Sequence, residues 1–360
     1  MARVSMPRHV RPFVPTPVMA RLAAAGVVVS LAVASLAATQ AASPGRVEIL
    51  PSVDALPAAL VGEFRDPIGW QRAADGRDFV FDRRGHTVYG VDRAAGTARK
   101  LVEIGGEDGR ILEPGAFAVA PNATFVVADA PRGLERVQIF GAGGERLGGF
   151  RLPGRATARI SFGGLVLNGV GSLQYTGRGV LMNQPETGSL ITVYGLAGTP
   201  VRSIGRLRRT GHEADRELHL AFNSGLPLVD PAGGYYFVFL AGPPVLQKYD
   251  REGGLVWERL IQGRELDPYL TALPTVWPRR QDRGREVPLV VPTVRTAAVA
   301  PDGRVWISLT VPFTYVYDGE GEKVRTVQFR AGGIVPPASL FFAGPDRVLV
   351  TPGCYEFATS

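Results

Sequence analysis

Six polar side chains of types that commonly bind ligands lie in the segments between predicted strands. They are Asp66, Arg83, His86, Asp129, Arg132 and Asn183. Arginine binds carboxylates and phosphates through paired hydrogen bonds, and the other side chains bind hydroxyls or amides. The set therefore predicts a polar, arginine-containing site for an anionic or sugar-like ligand. In the alternative interpretation, the Asp and Asn side chains only bind backbone N–H groups of their own turns.

The sequence contains no complete catalytic or metal-binding motif. A G-x-S-x-G elbow, a P-loop, an EF-hand loop and a zinc signature are all missing. His212 and His219 lie in a long connection, and Cys354 follows a Pro-Gly turn with no histidine nearby in the sequence. We therefore predict no catalytic residue, no metal ligand and no cofactor. Calcium needs only oxygen ligands, so a calcium-dependent enzyme stays open as an alternative.

A repeated pattern of short strands and turns predicts the scaffold that positions these residues. An aromatic residue precedes a Gly-containing turn at five places, and a weaker copy of the pattern occurs at Tyr355. The five are Tyr89, Phe140, Tyr194, Tyr249 and Tyr317. Repeats of roughly 40–55 residues, each made of short strands, are typical of propeller blades. We predict an all-β, six-bladed β-propeller with four-stranded antiparallel blades.

The N-terminal strand is expected to close this ring. The predicted blades span about 63–106, 113–153, 160–208, 218–263, 294–331 and 338–360 plus 46–53. The last blade has only three strands before the sequence ends, whereas Arg46–Leu50 is a strand-like run without a blade. Pairing the two would remove exposed edges that promote aggregation. We therefore expect the N-terminal strand to join the C-terminal blade.

The second predicted blade resembles an NHL repeat. It contains Leu112-Glu113-Pro114, then Val126-Val127-Ala128-Asp129, then Arg136-Val137-Gln138-Ile139-Phe140. The other blades share the strand-and-turn pattern, most clearly the first and the fifth. The resemblance to six-bladed propellers of the NHL-repeat and TolB-like type implies the fold. Members include protein- and RNA-binding modules, extracellular scaffolds and a few metal-dependent enzymes, so the resemblance implies no single activity.

In such a propeller, the loops that carry the six polar residues converge on one face of the central channel. We therefore predict a binding or scaffold module for a protein, a peptide or a cell-envelope glycan. The alternative is a calcium-dependent lactonase or lyase with its site over the channel. Three or more buried Asp, Glu, Asn or His side chains with perturbed pKa values at the channel mouth would indicate the enzyme.

Two connections exceed the usual loop length and predict further functional surface. They are Arg206–Asn223 and Arg264–Thr293. The second contains Trp277 close to four arginines, the residue types that dominate binding hot spots. Those arginines are Arg279, Arg280, Arg283 and Arg285. We expect this segment to be either a partner-binding surface or a solvated lid, and its arginines to make the channel face basic.

The N-terminal region predicts export. Basic residues precede an apolar run, Leu22–Ala38, and small residues follow it, so 1–45 is predicted to be a signal peptide or an N-terminal membrane anchor. The domain 46–360 would then be periplasmic, secreted or membrane-anchored. The net charge is +7, but the arginines are scattered among acids, so we predict no nucleic-acid partner. The sequence does not indicate an oligomeric state.

Overall fold

Antiparallel β-sheets in a propeller-like arrangement make up the protein. The computed structural model describes residues 46–155, 158–162, 165–168, 172–282 and 285–360. The predicted leader or anchor, 1–45, lies outside these residues. Four sheets have four strands each, and a fifth sheet has nine. Within the described residues, no helix is long and apolar enough to span a bilayer.

Strand β1 (Val47–Ala55) and helix α1 (Ala58–Val61) lead into the first three sheets. The first sheet contains β2 (Pro67–Arg72), β3 (Asp78–Asp82), β4 (Thr87–Asp92) and β5 (Thr97–Val102). The second contains β6 (Ala116–Val119), β7 (Phe125–Asp129), β8 (Leu134–Phe140) and β9 (Arg146–Arg155). The hairpin β10 (Ala158–Phe162) and β11 (Leu165–Asn168) follows, and then the third sheet: β12 (Leu173–Tyr175), β13 (Gly179–Met182), β14 (Ser189–Gly195) and β15 (Pro200–Arg206).

The two long connections contain regular structure and flank the fourth sheet. Helix α2 (Arg216–Phe222) precedes that sheet, whose strands are β16 (Gly225–Asp230), β17 (Gly234–Phe239), β18 (Val245–Tyr249) and β19 (Leu255–Leu260). Helix α3 (Asp267–Thr271) and the hairpin β20 (Arg279–Asp282) and β21 (Arg285–Pro288) follow it.

The nine-stranded sheet joins the last two groups of strands through β1. One group is β22 (Val294–Val299), β23 (Val305–Leu309), β24 (Thr314–Tyr317) and β25 (Lys323–Ala331), with β26 (Gly333–Ile334) paired to β25. The other is β27 (Ser339–Gly344), β28 (Arg347–Thr351) and β29 (Tyr355–Ala358). Strand β1 lies between β25 and β29.

The pairing of β1 differs in detail from the sequence prediction. Its first half pairs in parallel with β25, from Val47 opposite Thr326 to Pro51 opposite Arg330. Only residues 52–55 pair antiparallel with the C-terminal strand β29. The N-terminal strand therefore joins the C-terminal strand as expected, but through residues 52–55 and not through Arg46–Leu50. The physical reason is packing, because Leu50 fills an apolar cluster shared by both groups of strands.

Local sequence explains the turns between the strands. The second strands β3, β7 and β23 are buried along their whole length, as expected for strands flanked by neighbouring sheets. The turns that precede β3 and β23 place glycine where the backbone is left-handed, with φ of 86° at Gly76 and 85° at Gly303, whereas Ala123 has φ of 64° before β7. The Pro301-Asp302-Gly303 turn thus forms as its sequence predicts.

The core lies between the sheets. Among the described residues, five apolar clusters each combine side chains of two groups that are neighbours along the chain, such as Phe79 of β3 with Phe125 of β7. A further cluster joins the first sheet to the last group of strands, because Trp70 and Val80 of the first sheet pack with Leu349 of β28. The groups therefore pack face to face in sequence, and the last packs on the first.

Candidate functional site

The first strand of each group lines one common cavity of about 850 Å³. These strands are β2, β6, β12, β16, β22 and β27, and we call the cavity the channel. Apolar groups, among them Phe117, Leu228 and Phe342, contribute slightly more of its lining than polar groups do. Two glutamines tie the wall together, because the N–H of Val119 donates to Gln71 Oε1 at 2.7 Å and that of Val229 donates to Gln174 Oε1 at 2.6 Å.

Sheet register places the predicted site residues at one end of the strands. Pro67, which starts β2, pairs with Asp82 at the end of β3, so Asp66 and the loop after Asp82 lie at the same end. We call the face built from these entering and second-to-third-strand segments the loop face. The opposite face carries the short turns, and the N–H of Ala74 donates there to Pro121 O at 3.1 Å, which aligns the first two sheets.

Two of the six predicted residues bind each other. The Arg83 guanidinium donates to Asp66 Oδ2 from Nε at 3.0 Å and from Nη2 at 2.8 Å. Two charge-assisted hydrogen bonds to one carboxylate oxygen fix both side chains and pair their charges. Arg83 and Asp66 therefore hold the loop of the first sheet together at this face.

The aspartates that end the second strands bind backbone N–H groups. Asp82 accepts from Arg65 at 2.8 Å and from Asp66 and Gly85 at 2.9 Å. Asp129 is 3% exposed and accepts from the Leu112 N–H at 2.9 Å and from Arg136 Nε at 2.8 Å. Their contacts agree with the alternative interpretation, in which such side chains stabilise turns and loops.

Asn183 has a similar structural role at the junction of the third and fourth sheets. Its Oδ1 accepts from the Gly225 N–H at 2.9 Å, and its Nδ2 donates to Leu190 O at 2.8 Å and to Asn223 O at 3.2 Å. These contacts link two sheets across a buried position.

His86 occupies a strained and partly buried position on the loop face. Its φ is 50°, a left-handed value that is uncommon for a side chain other than Gly, Asn or Asp. Burial lowers the pKa of His86, and the nearby carboxylates of Glu113, Asp82 and Asp129 oppose that effect. Its Nδ1 is buried and has no hydrogen-bond partner among the described residues.

Arg132 is the one predicted residue that stays available for a ligand. It is exposed, has φ of 57°, and forms no side-chain contact within the described chain. The side chains of Arg84 and Arg65 are also exposed on the same face. The sequence prediction did not include these two residues. Arg84 lies beside Arg83 in the same loop, so the sequence located the loop but not which arginine would be free.

The two long connections pack together, and Trp277 is buried. Trp277 is 8% exposed and meets Phe222 edge-on at 5.4 Å between ring centroids. Arg279 pairs with Asp215 at the start of α2. The indole of Trp277 is not available to a partner, because it fills the small core that joins α2 to the second connection. Arg283 lies outside the described residues.

The described residues include potential metal ligands and the single cysteine, Cys354. Among the described residues, no three His, Cys, Asp or Glu side chains are grouped so that they would hold a metal ion. Cys354 is buried, and burial raises the pKa of its thiol to about 12. The thiol is therefore protonated at neutral pH, and thiolate is the nucleophilic form.

Comparisons with known proteins identify the fold. No family model and no curated protein matches the chain. A streptogramin B lyase structure is 9% identical, with a TM-score of 0.51, and the match covers 84% of this chain and 95% of that one. A protein of unknown function from Bacteroides thetaiotaomicron is 13% identical, with a TM-score of 0.52, covering 86% and 74%.

A third structure, virginiamycin B lyase from Staphylococcus aureus, is 8% identical with a TM-score of 0.47, and the match covers 82% of this chain and 85% of that one. At such low identity, these likenesses concern architecture alone. The chain has a β-propeller fold.

Proposed function

We propose that the protein is an exported six-bladed β-propeller that binds an anionic protein or peptide segment on its loop face. Six first strands around one channel support the blade number. Two residues of the NHL-like segment support that assignment, because Asp129 and Arg136 form a buried ion pair at 2.8 Å. An ion pair that fixes the loop is the kind of structural role a repeat motif encodes.

The observation that carries the proposal is that two arginines of these loops are available to a ligand, whereas three aspartates of the same loops are not. The carboxylates of Asp66, Asp82 and Asp129 are engaged in ion pairs and backbone hydrogen bonds. Arg84 and Arg132 are exposed and have no carboxylate partner in the described chain. A partner that approaches this face therefore meets free guanidinium groups, which bind carboxylates with paired hydrogen bonds.

The proposal includes export, which follows from the sequence of 1–45. An envelope location would expose the loop face to extracellular or periplasmic partners. Cell fractionation with an antibody against the propeller checks this part. Recovery of the full-length chain in the cytosol would remove it.

A calcium-dependent lactonase or lyase is the second candidate. His86 favours it, because a partly buried imidazole near Glu113 and two aspartates is a plausible acid–base group. The hydrogen bonds of Asp82 and Asp129 argue against this enzyme, because both carboxylates already accept backbone N–H groups that stabilise the loops. Calcium-dependent turnover of a lactone and ester panel, lost in His86→Gln, would replace the binding proposal with this one.

An acidic peptide tests the binding proposal. Isothermal titration with deca-glutamate is compared between the wild-type protein and the double variant Arg84→Gln/Arg132→Gln. We expect the variant to bind at least about tenfold more weakly, which corresponds to about 1.4 kcal/mol. Its melting temperature should not change, because neither side chain contacts the described protein.

A matched double variant controls for net charge. Arg99 and Arg178 are also exposed, but they lie on an outer strand and in a turn of the opposite face. Arg99→Gln/Arg178→Gln removes the same charge and should bind deca-glutamate nearly as well as the wild type. Equal weakening by both double variants would show a general charge effect and contradict a site on the loop face.

A further inference from the structure

The channel has the dimensions and lining of a small-molecule site. Its volume of about 850 Å³ lies within the range of roughly 300–1,000 Å³ that is common for ligand pockets. The aromatic side chains of Phe117, Phe341 and Phe342 line it together with aliphatic residues from the other first strands. Among the polar side chains of the lining, which also include Ser172, Thr296 and Ser339, Gln71 and Gln174 already accept backbone N–H groups of the wall. The interior therefore favours an apolar ligand body.

The charged side chains of the described channel lining are all positive. Among the described residues of the lining, the only charged side chains are those of Arg72 and Arg295, and none is a carboxylate. Arg72 is neutralised, since its Nε lies 2.9 Å from Asp78 and its Nη2 lies 3.3 Å from Glu356.

Arg295, near the start of β22, is exposed and makes one described hydrogen bond, to Thr310 O at 3.4 Å. No carboxylate in the described chain pairs with it. The channel thus combines an apolar wall with one available guanidinium close to the loop face.

We propose that the channel binds a single-chain amphiphile whose anionic head group pairs with Arg295 and whose apolar chain occupies the channel. This goes beyond the function proposed above, which concerns a macromolecular partner on the exposed face. A guanidinium selects for carboxylate, phosphate or sulfate heads, and the apolar wall selects for chain length. A cationic head would meet no carboxylate in the lining.

Titration with matched amphiphiles tests the charge selection. Decanoate and decyltrimethylammonium have the same chain and opposite head charge, and both are used below micelle-forming concentrations. We expect decanoate to bind at least about tenfold more tightly, and hexanoate more weakly than decanoate. Equal affinity for the two decyl compounds, or no binding of decanoate by the folded protein, would overturn the proposal.

Variants assign the head group to Arg295. Arg295→Gln should lose most of the preference for decanoate. Arg330→Gln should keep it, because Arg330 is also exposed but does not line the channel. Thr296→Phe fills the channel beside Arg295 and should abolish binding of both decyl compounds in a variant whose melting curve stays cooperative. Undiminished decanoate binding by Arg295→Gln or by folded Thr296→Phe would contradict the site.

Two further comparisons distinguish the channel from a bilayer-binding surface and from the loop face. Anionic phosphatidylglycerol vesicles should not sediment the protein in an Arg295-dependent manner; such sedimentation without decanoate binding would point to a bilayer and overturn the proposal. Arg84→Gln/Arg132→Gln should leave decanoate affinity unchanged. Loss of deca-glutamate binding with retained decanoate binding therefore affects only the loop-face proposal, and the reverse result affects only the channel.

Discussion

Arg93, in the turn after β4, contacts Glu356 of the C-terminal strand, with Nη1 3.1 Å from Oε2, although 263 residues separate them. Arg72 Nη2 reaches the same oxygen at 3.3 Å, and Arg347 Nε lies 3.5 Å from Oε1. Arg93 also pairs with Asp54 of β1. This cluster, which we call the closing cluster, connects the first sheet, the N-terminal strand and the C-terminal strand.

Removing the carboxylate of the closing cluster should destabilise the fold. Glu356→Gln leaves three guanidinium groups near a buried position without their shared anion. We expect a loss of about 2 kcal/mol in the free energy of unfolding, below the usual cost for a fully buried pair because Arg93 and Arg347 are partly exposed. Urea denaturation measures it. Arg77→Ala, which breaks an exposed ion pair with Asp75, is the control and should change the free energy of unfolding little. If Glu356→Gln lowered the free energy of unfolding no more than this control does, the closing cluster would contribute little to stability.

The N-terminal strand should be required for solubility. A chain that starts at Arg46 keeps β1, whereas one that starts at Glu63 leaves β25 and β29 without the partner that pairs with both. We expect the shorter chain to melt at lower temperature and to self-associate, because two strand edges become exposed. Differential scanning calorimetry and sedimentation velocity compare the two. Identical melting temperatures and monomeric behaviour would exclude a closing role for β1.

Asp129→Ala should affect stability much more than binding. The substitution removes the acceptor of the Leu112 N–H and leaves the buried Arg136 without its closest carboxylate. We expect a loss of about 3 kcal/mol in the free energy of unfolding. Deca-glutamate affinity, measured at a temperature where the variant is folded, should change little. A large loss of affinity with normal stability would show that Asp129 contacts the ligand.

His86 should make stability depend on pH. Because burial lowers its pKa in the folded state below the ordinary value of 6.5, the unfolded chain takes up the proton first as the pH falls. The contribution of His86 to the free energy of unfolding is therefore constant above the ordinary histidine pKa of 6.5. The free energy of unfolding decreases as the pH falls below that value. His86→Gln should show a smaller decrease between about pH 7 and 5 in urea denaturation. Parallel curves for the variant and the wild type would contradict this assignment.

Much of the scaffold could be predicted because local sequence determines it. The Pro301-Asp302-Gly303 turn and the buried run of β7 need only backbone preferences and apolar patterning. The split pairing of β1 was missed because the partners of an isolated strand depend on packing of residues such as Leu50 between distant strands. Both long connections also contain regular secondary structure, a helix in the first and a strand in the second, which their polar sequences did not indicate.

The site was predicted less well than the scaffold, because the sequence does not show which side chains pair with each other in the fold. The sequence placed Arg83 and Arg132 in equivalent loops, but one pairs with Asp66 and the other is free. Such pairing depends on side-chain geometry between segments. Arg295 was missed because a single arginine at the start of an apolar strand carries no motif.

Hydrogen exchange of the protein with and without deca-glutamate tests the central claim, that the loop face binds an anionic partner, most directly. We predict slower amide exchange in residues 83–86 and 131–134, which carry the free arginines Arg84 and Arg132. The turns at 74–77 and 301–304 on the opposite face should exchange at unchanged rates. Protection confined to those turns, or no protection at a saturating peptide concentration, would contradict the proposed binding face.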